Sequence, residues 1–390
     1  MTQQLADRPT LTRRLLDVDA LRGFALFGIL IVNIWYFASG YAFHRVPDPA
    51  YGAPLDHGVH AVVAFVFEMK FYLLFSFLFG YSFTLQIDAA DRAGAAFRPR
   101  FLRRVAGLFA LGALHAVLLF HGDILTTYAV LGLILLALHR IRPRTALIVA
   151  GALVGLVVLF FAAMAFAAVP SVDEPAALAN GAATTAALGG APADVIAEHL
   201  RSLPTAIGGT VVLQAPVALA MFLVGLAVGR RRLLADPPAH RRGLLLIQAI
   251  GYPLGLAGAA AVVALGGIST MAGLAVSTLT SPLLAAAYAA SMLSVFQTSA
   301  GRRLATALAP AGRMALTNYL MQSLVLALIF TGLGFGLIGE VPPLAVAAIA
   351  VAVFVVQLVA SAAWLRSHRY GPVEWLLRAL TIWSRPAWRR

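Results

Sequence analysis

The sequence contains no cysteine, so it forms neither disulfide bonds nor thiolate metal sites. Charge is scarce as well: 12% of the residues are charged, against about 25% in an average soluble domain. A soluble chain of 390 residues needs more polar surface than this. A cleavable signal sequence is also lacking, because the first apolar run has no clear small-residue cleavage site. We therefore expect that run to be retained as a membrane span.

What is abundant is apolar sequence, with 61% hydrophobic residues and a mean hydropathy of +0.87. Segments of 16 to 26 apolar residues recur, the length at which a helix crosses a hydrocarbon core of about 30 Å. Strands of a membrane barrel would instead alternate over about ten residues. The sequence predicts an all-α, polytopic membrane bundle, residues 1–390 forming one domain. The ten predicted spans are 20–39, 59–84, 105–120, 124–139, 145–168, 206–228, 243–265, 277–297, 314–332 and 343–365.

Arginine placement predicts the orientation of these spans. With both termini in the cytoplasm, 26 of the 28 arginines fall on the inner side, and only Arg45 and Arg201 fall outside. This asymmetry is typical of the positive-inside rule and not of a nucleic-acid groove. We expect a multi-pass protein of the cell inner (plasma) membrane. Its partners are the lipid bilayer and a small-molecule or lipid substrate, with no nucleic acid; a homo-oligomer is left open.

The segment 169–205 divides the chain into an N-terminal part, 1–168, and a C-terminal part, 206–390. It is rich in Ala, Gly and Thr. Low complexity of this kind favours a mobile extracytoplasmic linker with one short surface helix near 193–203.

Glu68 and Lys70 lie in the middle of the second apolar run. Charged groups in hydrocarbon cost about 2.5 to 3.5 kcal/mol on insertion scales, so they normally face a bundle interior or a partner. Two residues apart on a continuous helix, the two side chains point to opposite faces. Each is predicted to need a partner elsewhere in the chain.

His115 lies in the third span, and Asp123 follows in the short break before the fourth. A lone membrane histidine often serves only an interhelical hydrogen bond, but a histidine near a carboxylate can act as a general base. Asp123 could orient His115 or cap the next helix. His57 and His60 flank the second span on the outer side, where surface histidines are the default and a metal site lacks a third ligand. We therefore assign no metal.

Polar residues also mark the inner ends of the first and ninth spans. Arg22 can pair with Asp19, three residues earlier, and shares a helix face with Asn33. In the ninth span Asn318 and Gln322 lie one turn apart, either lining a cavity or joining helices. The candidate binding residues are Arg22, Asn33, Arg313, Asn318, Gln322 and, in the fourth span, Tyr128.

Several motifs carry a family resemblance: DVDALRGFALFGILIVN, LHAVLLFHGDILTTYAVLGL, GRMALTNYLMQS and WLRSHRYGPVEWLLRALT. They resemble the YeiB-like family of multi-pass bacterial membrane proteins, whose C-terminal half is a domain of unknown function. The resemblance covers the chain apart from the first dozen residues and 169–205. A more distant similarity links the L-x-x-x-RG stretch to transmembrane acyltransferases, including the heparan glucosaminide acetyltransferase. In the sugar-modifying acyltransferases a histidine follows that arginine by eleven residues. Asn33 stands there, so His115, His57 or His60 would have to replace it.

Two functions follow as hypotheses. In the first, a membrane acyltransferase, an acyl-CoA such as acetyl-CoA binds at the inner mouth near Arg22, Arg313 and Asn318. Its acyl group reaches a mid-membrane cavity, where His115 is the general base toward a hydroxyl or amine and Lys70 stabilises the oxyanion. The catalytic candidates are His115, Lys70, Glu68 and Asp123. The alternative is a secondary transporter with Glu68, Lys70 and His115 as a midplane site.

Overall fold

A computed structural model of the chain describes residues 3–170 and 172–390, with side chains from Leu16 onwards. Over these residues the chain forms fifteen α-helices and no named β-strand. The helices are α1 (Gln3–Ala38), α2 (Pro54–Val66), α3 (Lys70–Arg92), α4 (Phe97–Leu118), α5 (Leu125–Ala137), α6 (Pro143–Phe166), α7 (Glu174–Gly189), α8 (Pro192–Gly209), α9 (Ala215–Arg230), α10 (Arg241–Ala264), α11 (Met271–Val295), α12 (Ser299–Arg313), α13 (Ala315–Phe330), α14 (Pro343–Ser367) and α15 (Pro372–Ile382). The predicted all-α class is confirmed.

In the part of the chain that the structure describes, eight stretches of helix are long and apolar enough to cross a bilayer, which makes the chain a polytopic membrane bundle. A ninth arises if α12 and α13, bent by 76° at their junction, count as one broken span. Helix α5 has 13 residues, about 20 Å at 1.5 Å per residue, and falls short of a hydrocarbon core of about 30 Å. The ten apolar segments of the sequence therefore correspond to eight spans, the α13 half of the bent pair and the short α5.

Two of the predicted spans have a different internal structure. The second is interrupted, because α2 ends at Val66 and α3 begins at Lys70, with Met69 in the left-handed conformation at φ 66°. The expectation of one continuous helix through Glu68 and Lys70 is therefore wrong. The span predicted at 206–228 begins inside α8 and continues through a π-helical turn, Thr210–Gln214, into α9.

Most of the described part of the segment 169–205 is helical, and the expected mobile linker is wrong. Its Ala-rich stretch forms α7, and the surface helix expected near 193–203 lies within the longer α8. Alanine has the highest helix propensity of all residues, and small side chains allow close packing. A Cβ on Gly181 of α7 would meet the ring of Tyr41, in the turn after α1. The low-complexity composition therefore reflects packing and not mobility.

Helix α1 is the centre of the bundle. Of the residues in its span 56% are buried, against 17% for α6, which faces outward. It crosses α12 at two glycines: a Cβ on Gly23 would collide with the Leu308 carbonyl oxygen, and one on Gly312 with the Asp19 carbonyl oxygen. The glycine of the RG motif thus permits close helix contact, as small residues do at membrane helix crossings. This crossing brings the N-terminal motif against the start of α13.

Candidate functional site

A buried hydrogen-bonded chain joins Asp123, His115 and Ser323. His115 Nδ1 lies 2.8 Å from Asp123 Oδ1, and His115 Nε2 lies 2.8 Å from Ser323 Oγ. A carboxylate can only accept, so Nδ1 carries the proton and Nε2 is left to accept from the serine hydroxyl. The side chains of His115 and Asp123 are 1% and 2% exposed, and Ser323 as a residue is 3% exposed. The connectivity is that of a Ser-His-Asp triad, recognised by geometry and not by sequence position.

Local structure fixes the acid and the base of this chain. His115 is in the last turn of α4, and the turn 119–124 brings the chain back into α5. Asp123 Oδ2 accepts from the backbone N–H of Thr126 at 2.8 Å and from its hydroxyl at 2.9 Å. The sequence left orientation of His115 and capping of the next helix as alternatives for Asp123. The structure shows both, one for each carboxylate oxygen.

The third member, Ser323, was not among the residues selected from the sequence. It lies on α13 one turn after Tyr319, whose ring centroid is 5.1 Å from that of His115. Residues 319 and 323 have the same spacing of four as residues 318 and 322, but the sequence does not show that their helix face lies against α4.

Asn318 and Gln322 face α14 and join the two helices. The Asn318 amide donates to Ser361 Oγ at 2.9 Å, and the Gln322 amide donates to Gln357 Oε1 at 2.9 Å. Gln357 in turn donates to the Asn318 carbonyl oxygen at 2.9 Å. Of the two interpretations of these residues, interhelical bonding is what the structure shows. We call these four side chains the amide seam.

Lys70 and Glu68 lie at the break between α2 and α3. The Lys70 ammonium donates to the Ala64 carbonyl oxygen at 2.7 Å and is 4% exposed as a residue. Among the described residues, no hydrogen bond or ion pair joins either residue to His115. Two open cavities, of about 580 and 220 Å³, are lined by residues 238–243 and by parts of α10 and α11, away from both groups. The triad and the lysine are both buried, and no hydrogen bond between described residues joins them.

The remaining candidates are distributed over both ends of the bundle. Tyr128 is buried, with its hydroxyl 2.6 Å from Ser76 Oγ, and serves packing of α5 on α3. Asn33 is half-buried on α1, and its side chain makes no hydrogen bond to a described residue. His57 and His60 are exposed, and His60 lies against Trp35 with centroids 4.5 Å apart. Within residues 3–170 and 172–390 no group of three or more His, Asp or Glu is arranged to hold a metal ion.

At one end of the bundle lie Arg22, Arg104, Arg313 and Arg378; we call this the arginine end. Arg22 forms the predicted ion pair with Asp19 at 2.5 Å, which confirms that expectation, and also donates to Ser82 Oγ at 2.7 Å. Arg313 is exposed and contacts the Arg369 carbonyl oxygen at 3.4 Å.

The opposite end carries His121 and His199, whose ring centroids are 5.4 Å apart. His121 belongs to the turn that holds Asp123, and its ring lies 3.9 Å from that of Phe43. Burial, with smaller contributions from His199, His44 and Arg201, lowers the pKa of His121 to about 3. The residue is therefore neutral at physiological pH and packs the turn against the bundle as an aromatic side chain.

Fold and site define a class: a polytopic helical membrane protein with a buried Asp-His-Ser chain near the end opposite the arginines. A family model described as "Protein of unknown function (DUF418)" matches residues 228–384. The chain is 33% identical to the "Uncharacterized protein YxaH" of Bacillus subtilis (strain 168), covering 97% of this chain and 96% of that protein. It is 30% identical to the "Uncharacterized protein YeiB" of Escherichia coli (strain K12), covering 95% and 96%. The chain therefore belongs to the YeiB-like family. No solved structure matches it.

Proposed function

We propose that this protein is a membrane acyltransferase, with Ser323 as nucleophile, His115 as general base and Asp123 as the group that orients His115. The observation that carries the proposal is the Asp123, His115, Ser323 chain, with both links at 2.8 Å. An unactivated serine is a weak nucleophile at neutral pH, and an adjacent oriented histidine is the usual means of activating it. A hydrogen bond that only joined helices would not need a carboxylate, an imidazole and a hydroxyl linked in this order.

The reaction takes place in two transfers. His115 Nε2 removes the Ser323 proton as the serine oxygen attacks the thioester carbonyl carbon of an acyl-CoA. The C–S bond breaks, and the proton passes to the departing thiolate, leaving an acyl ester on Ser323. An acceptor hydroxyl or amine then attacks this ester, with His115 again as base, and the serine hydroxyl is restored.

We do not assign Lys70 to stabilise the oxyanion, because its ammonium already donates to the Ala64 carbonyl oxygen. Tyr319, on the same face of α13 as Ser323, is the donor we assign to the tetrahedral intermediate. Substrates enter when neighbouring helices open. The closed state excludes water from the acyl ester, which favours transfer over hydrolysis.

We place the protein in the cell inner membrane with the arginine end in the cytoplasm, on the arginine asymmetry of the sequence. The donor then binds on the cytoplasmic side, and the triad lies nearer the outer side. The transporter alternative required His115 to share a site with Glu68 and Lys70. Its two ring nitrogens are instead engaged by Asp123 and Ser323, which favours the enzyme.

The test is acylation of the purified full-length protein. With [14C]acetyl-CoA we expect one label per chain, released by hydroxylamine, and none in Ser323→Ala or His115→Gln. A fluorophosphonate probe, which reports only an activated serine, gives a reading that does not depend on the choice of acyl donor. If neither reagent labels Ser323 while the protein remains folded, the proposal is refuted. Uptake of a solute into proteoliposomes driven by a pH gradient would support the transporter instead.

A further inference from the structure

Arg104 of α4 is a cation without an anionic partner. It is half-buried, its Nε is enclosed, and its guanidinium makes no hydrogen bond or ion pair with any residue whose side chain the structure describes. The enclosed Nε–H has no acceptor among the described residues, which costs free energy out of water, and the guanidinium offers four further N–H donors beside it. The position therefore calls for an acceptor from outside the described chain.

The neighbouring carboxylates are committed elsewhere. Glu374 of α15 accepts from the backbone N–H groups of Leu316 and Thr317 at 2.7 and 2.9 Å, and from the Thr317 hydroxyl at 2.5 Å. Asp19 is paired with Arg22 at 2.5 Å. Neither acid forms an ion pair or hydrogen bond with Arg104, and Glu374 compensates its charge only in part, from a distance.

Two further arginines are electrostatic neighbours of Arg104, namely Arg22 of α1 and Arg378 of α15, beside the carboxylate of Glu374. Arg378 is exposed and lies over the Tyr370 ring at 5.1 Å, with no ion pair to a described residue. Helix α15 packs on α4 at Gly107, so the backbones that carry Arg104 and Arg378 are fixed relative to each other. Arg22 and Arg378 both add to the positive potential at Arg104, and an anion bound there would relieve this repulsion.

We propose that Arg104 and Arg378, with Arg22 beside them, bind a phosphate group at the arginine end of the bundle. Planar guanidiniums donate two parallel hydrogen bonds to phosphate oxygens, and several of them match a dianion better than a single carboxylate. The phosphate belongs either to a soluble nucleotide-like ligand such as coenzyme A or to a lipid headgroup. Both sources present the same chemistry to the site.

The site is compatible with a lipid as well as a soluble source, because α15 exposes apolar side chains to its surroundings. Leu376, Leu380 and Trp383 are exposed on or beside it, as in an interfacial helix. The inference does not depend on acyl transfer, since it concerns binding and is tested without turnover.

The experiment measures binding by the full-length protein in a neutral detergent. Coenzyme A is titrated in a thermal-unfolding assay, and native mass spectrometry follows retention of phosphatidic acid against phosphatidylcholine. The matched pair is Arg104→Gln and Arg103→Gln, because Arg103 is adjacent and donates to the Pro99 carbonyl oxygen of its own helix at 3.2 Å. We expect Arg104→Gln to weaken binding of one probe about tenfold or more, and Arg103→Gln to leave it unchanged.

Each outcome bears on the proposal. Binding of coenzyme A that depends on Arg104 identifies a soluble source, and retention of phosphatidic acid that depends on Arg104 identifies a lipid source. Without ligand, Arg104→Gln should unfold no earlier than the wild type, because it removes an unpaired charge. If Arg104→Gln does not fold, the exposed Arg378 is replaced instead, and binding of the same two probes by Arg378→Gln is compared with binding by Arg103→Gln. Failure of both probes to bind, or equal binding by the Arg104→Gln and Arg103→Gln variants, overturns the proposal.

Discussion

Replacing Asp123 by asparagine tests the site most directly, because it exchanges one carboxylate oxygen for an NH2 group and leaves the side chain the same size. The carboxylate accepts from His115 through Oδ1 and from Thr126 through Oδ2. In Asp123→Asn the side-chain oxygen can keep the two Thr126 bonds, and the new amide then faces His115 Nδ1. The amide donates, so Nδ1 must accept and the imidazole proton moves to Nε2. His115 can then no longer accept the Ser323 proton.

The expected magnitudes separate activity from stability. Loss of the correct tautomer lowers the acylation rate by up to about 10⁴-fold, the size seen when the acid of a serine-protease triad is made an amide. Stability changes much less, by about 1.5 to 3 kcal/mol at most, the value of one hydrogen bond to a charged group. Thr126→Val is the matched control: it removes one hydrogen bond at 2.9 Å from the same carboxylate and leaves His115 untouched.

The assay is the rate of fluorophosphonate labelling of Ser323, measured beside the unfolding midpoint of each variant. We expect Asp123→Asn to stay folded and lose labelling, whereas Thr126→Val loses some stability and keeps labelling. The reasoning is refuted if Asp123→Asn labels within about tenfold of the wild type, because the chain would then be a structural hydrogen-bond relay.

Three further predictions concern the scaffold. His121 has a folded-state pKa of about 3, below its unfolded value of about 6.5. Below pH 6.5 the unfolded chain binds a proton at His121 and the folded chain does not, so the free energy of unfolding falls by about 2 kcal/mol between pH 7 and 5. His121→Asn should lack this loss when unfolding by denaturant is measured at both pH values. Gly312→Ala places a methyl group against the Asp19 carbonyl oxygen and should cost about 1 to 3 kcal/mol, and an unchanged midpoint would show that α1 and α12 can separate freely. Gln357→Leu removes the partner of the Gln322 amide and should cost about 0.5 to 2 kcal/mol in detergent unfolding, and serine labelling should slow as well, because the amide seam holds α13 in register.

Hydrophobic length and arginine placement were enough to predict the class of fold, because a bilayer imposes both. Likewise the pairing of Arg22 with Asp19 follows from helix spacing, and the proximity of His115 to Asp123 follows from their short separation in the sequence. Ser323 could not be predicted in the same way. Its partner is 208 residues away, and nothing local in α13 distinguishes a serine facing α4 from one facing lipid.

The helix break before Lys70 could not be predicted from the sequence either, and it explains how the buried ammonium is stabilised. No proline or glycine marks the position, and Met69 adopts a positive φ of 66° within an apolar run. The Glu68 backbone N–H bonds to the Val63 carbonyl oxygen, which leaves the Ala64 carbonyl oxygen without its usual helical donor. The Lys70 ammonium occupies it at 2.7 Å, a cation at a helix C-terminus. The partner of the Lys70 ammonium is therefore a backbone carbonyl oxygen, and the pattern of charged residues in the sequence gives no sign of it.

Helix α13 shows how the structural and the chemical parts of the site depend on each other. Its N-terminus is held by Glu374 through two backbone N–H groups, and one face is held by the amide seam to α14. The adjacent face, about 100° around the helix, presents Ser323 to His115. A serine is useful as a nucleophile only if its helix cannot rotate or slide, since an error of about 1 Å removes the hydrogen bond to its base. The seam is buried in a membrane protein that could have used leucine there, so we read its amides as the means by which α13 is locked in the register that the triad needs.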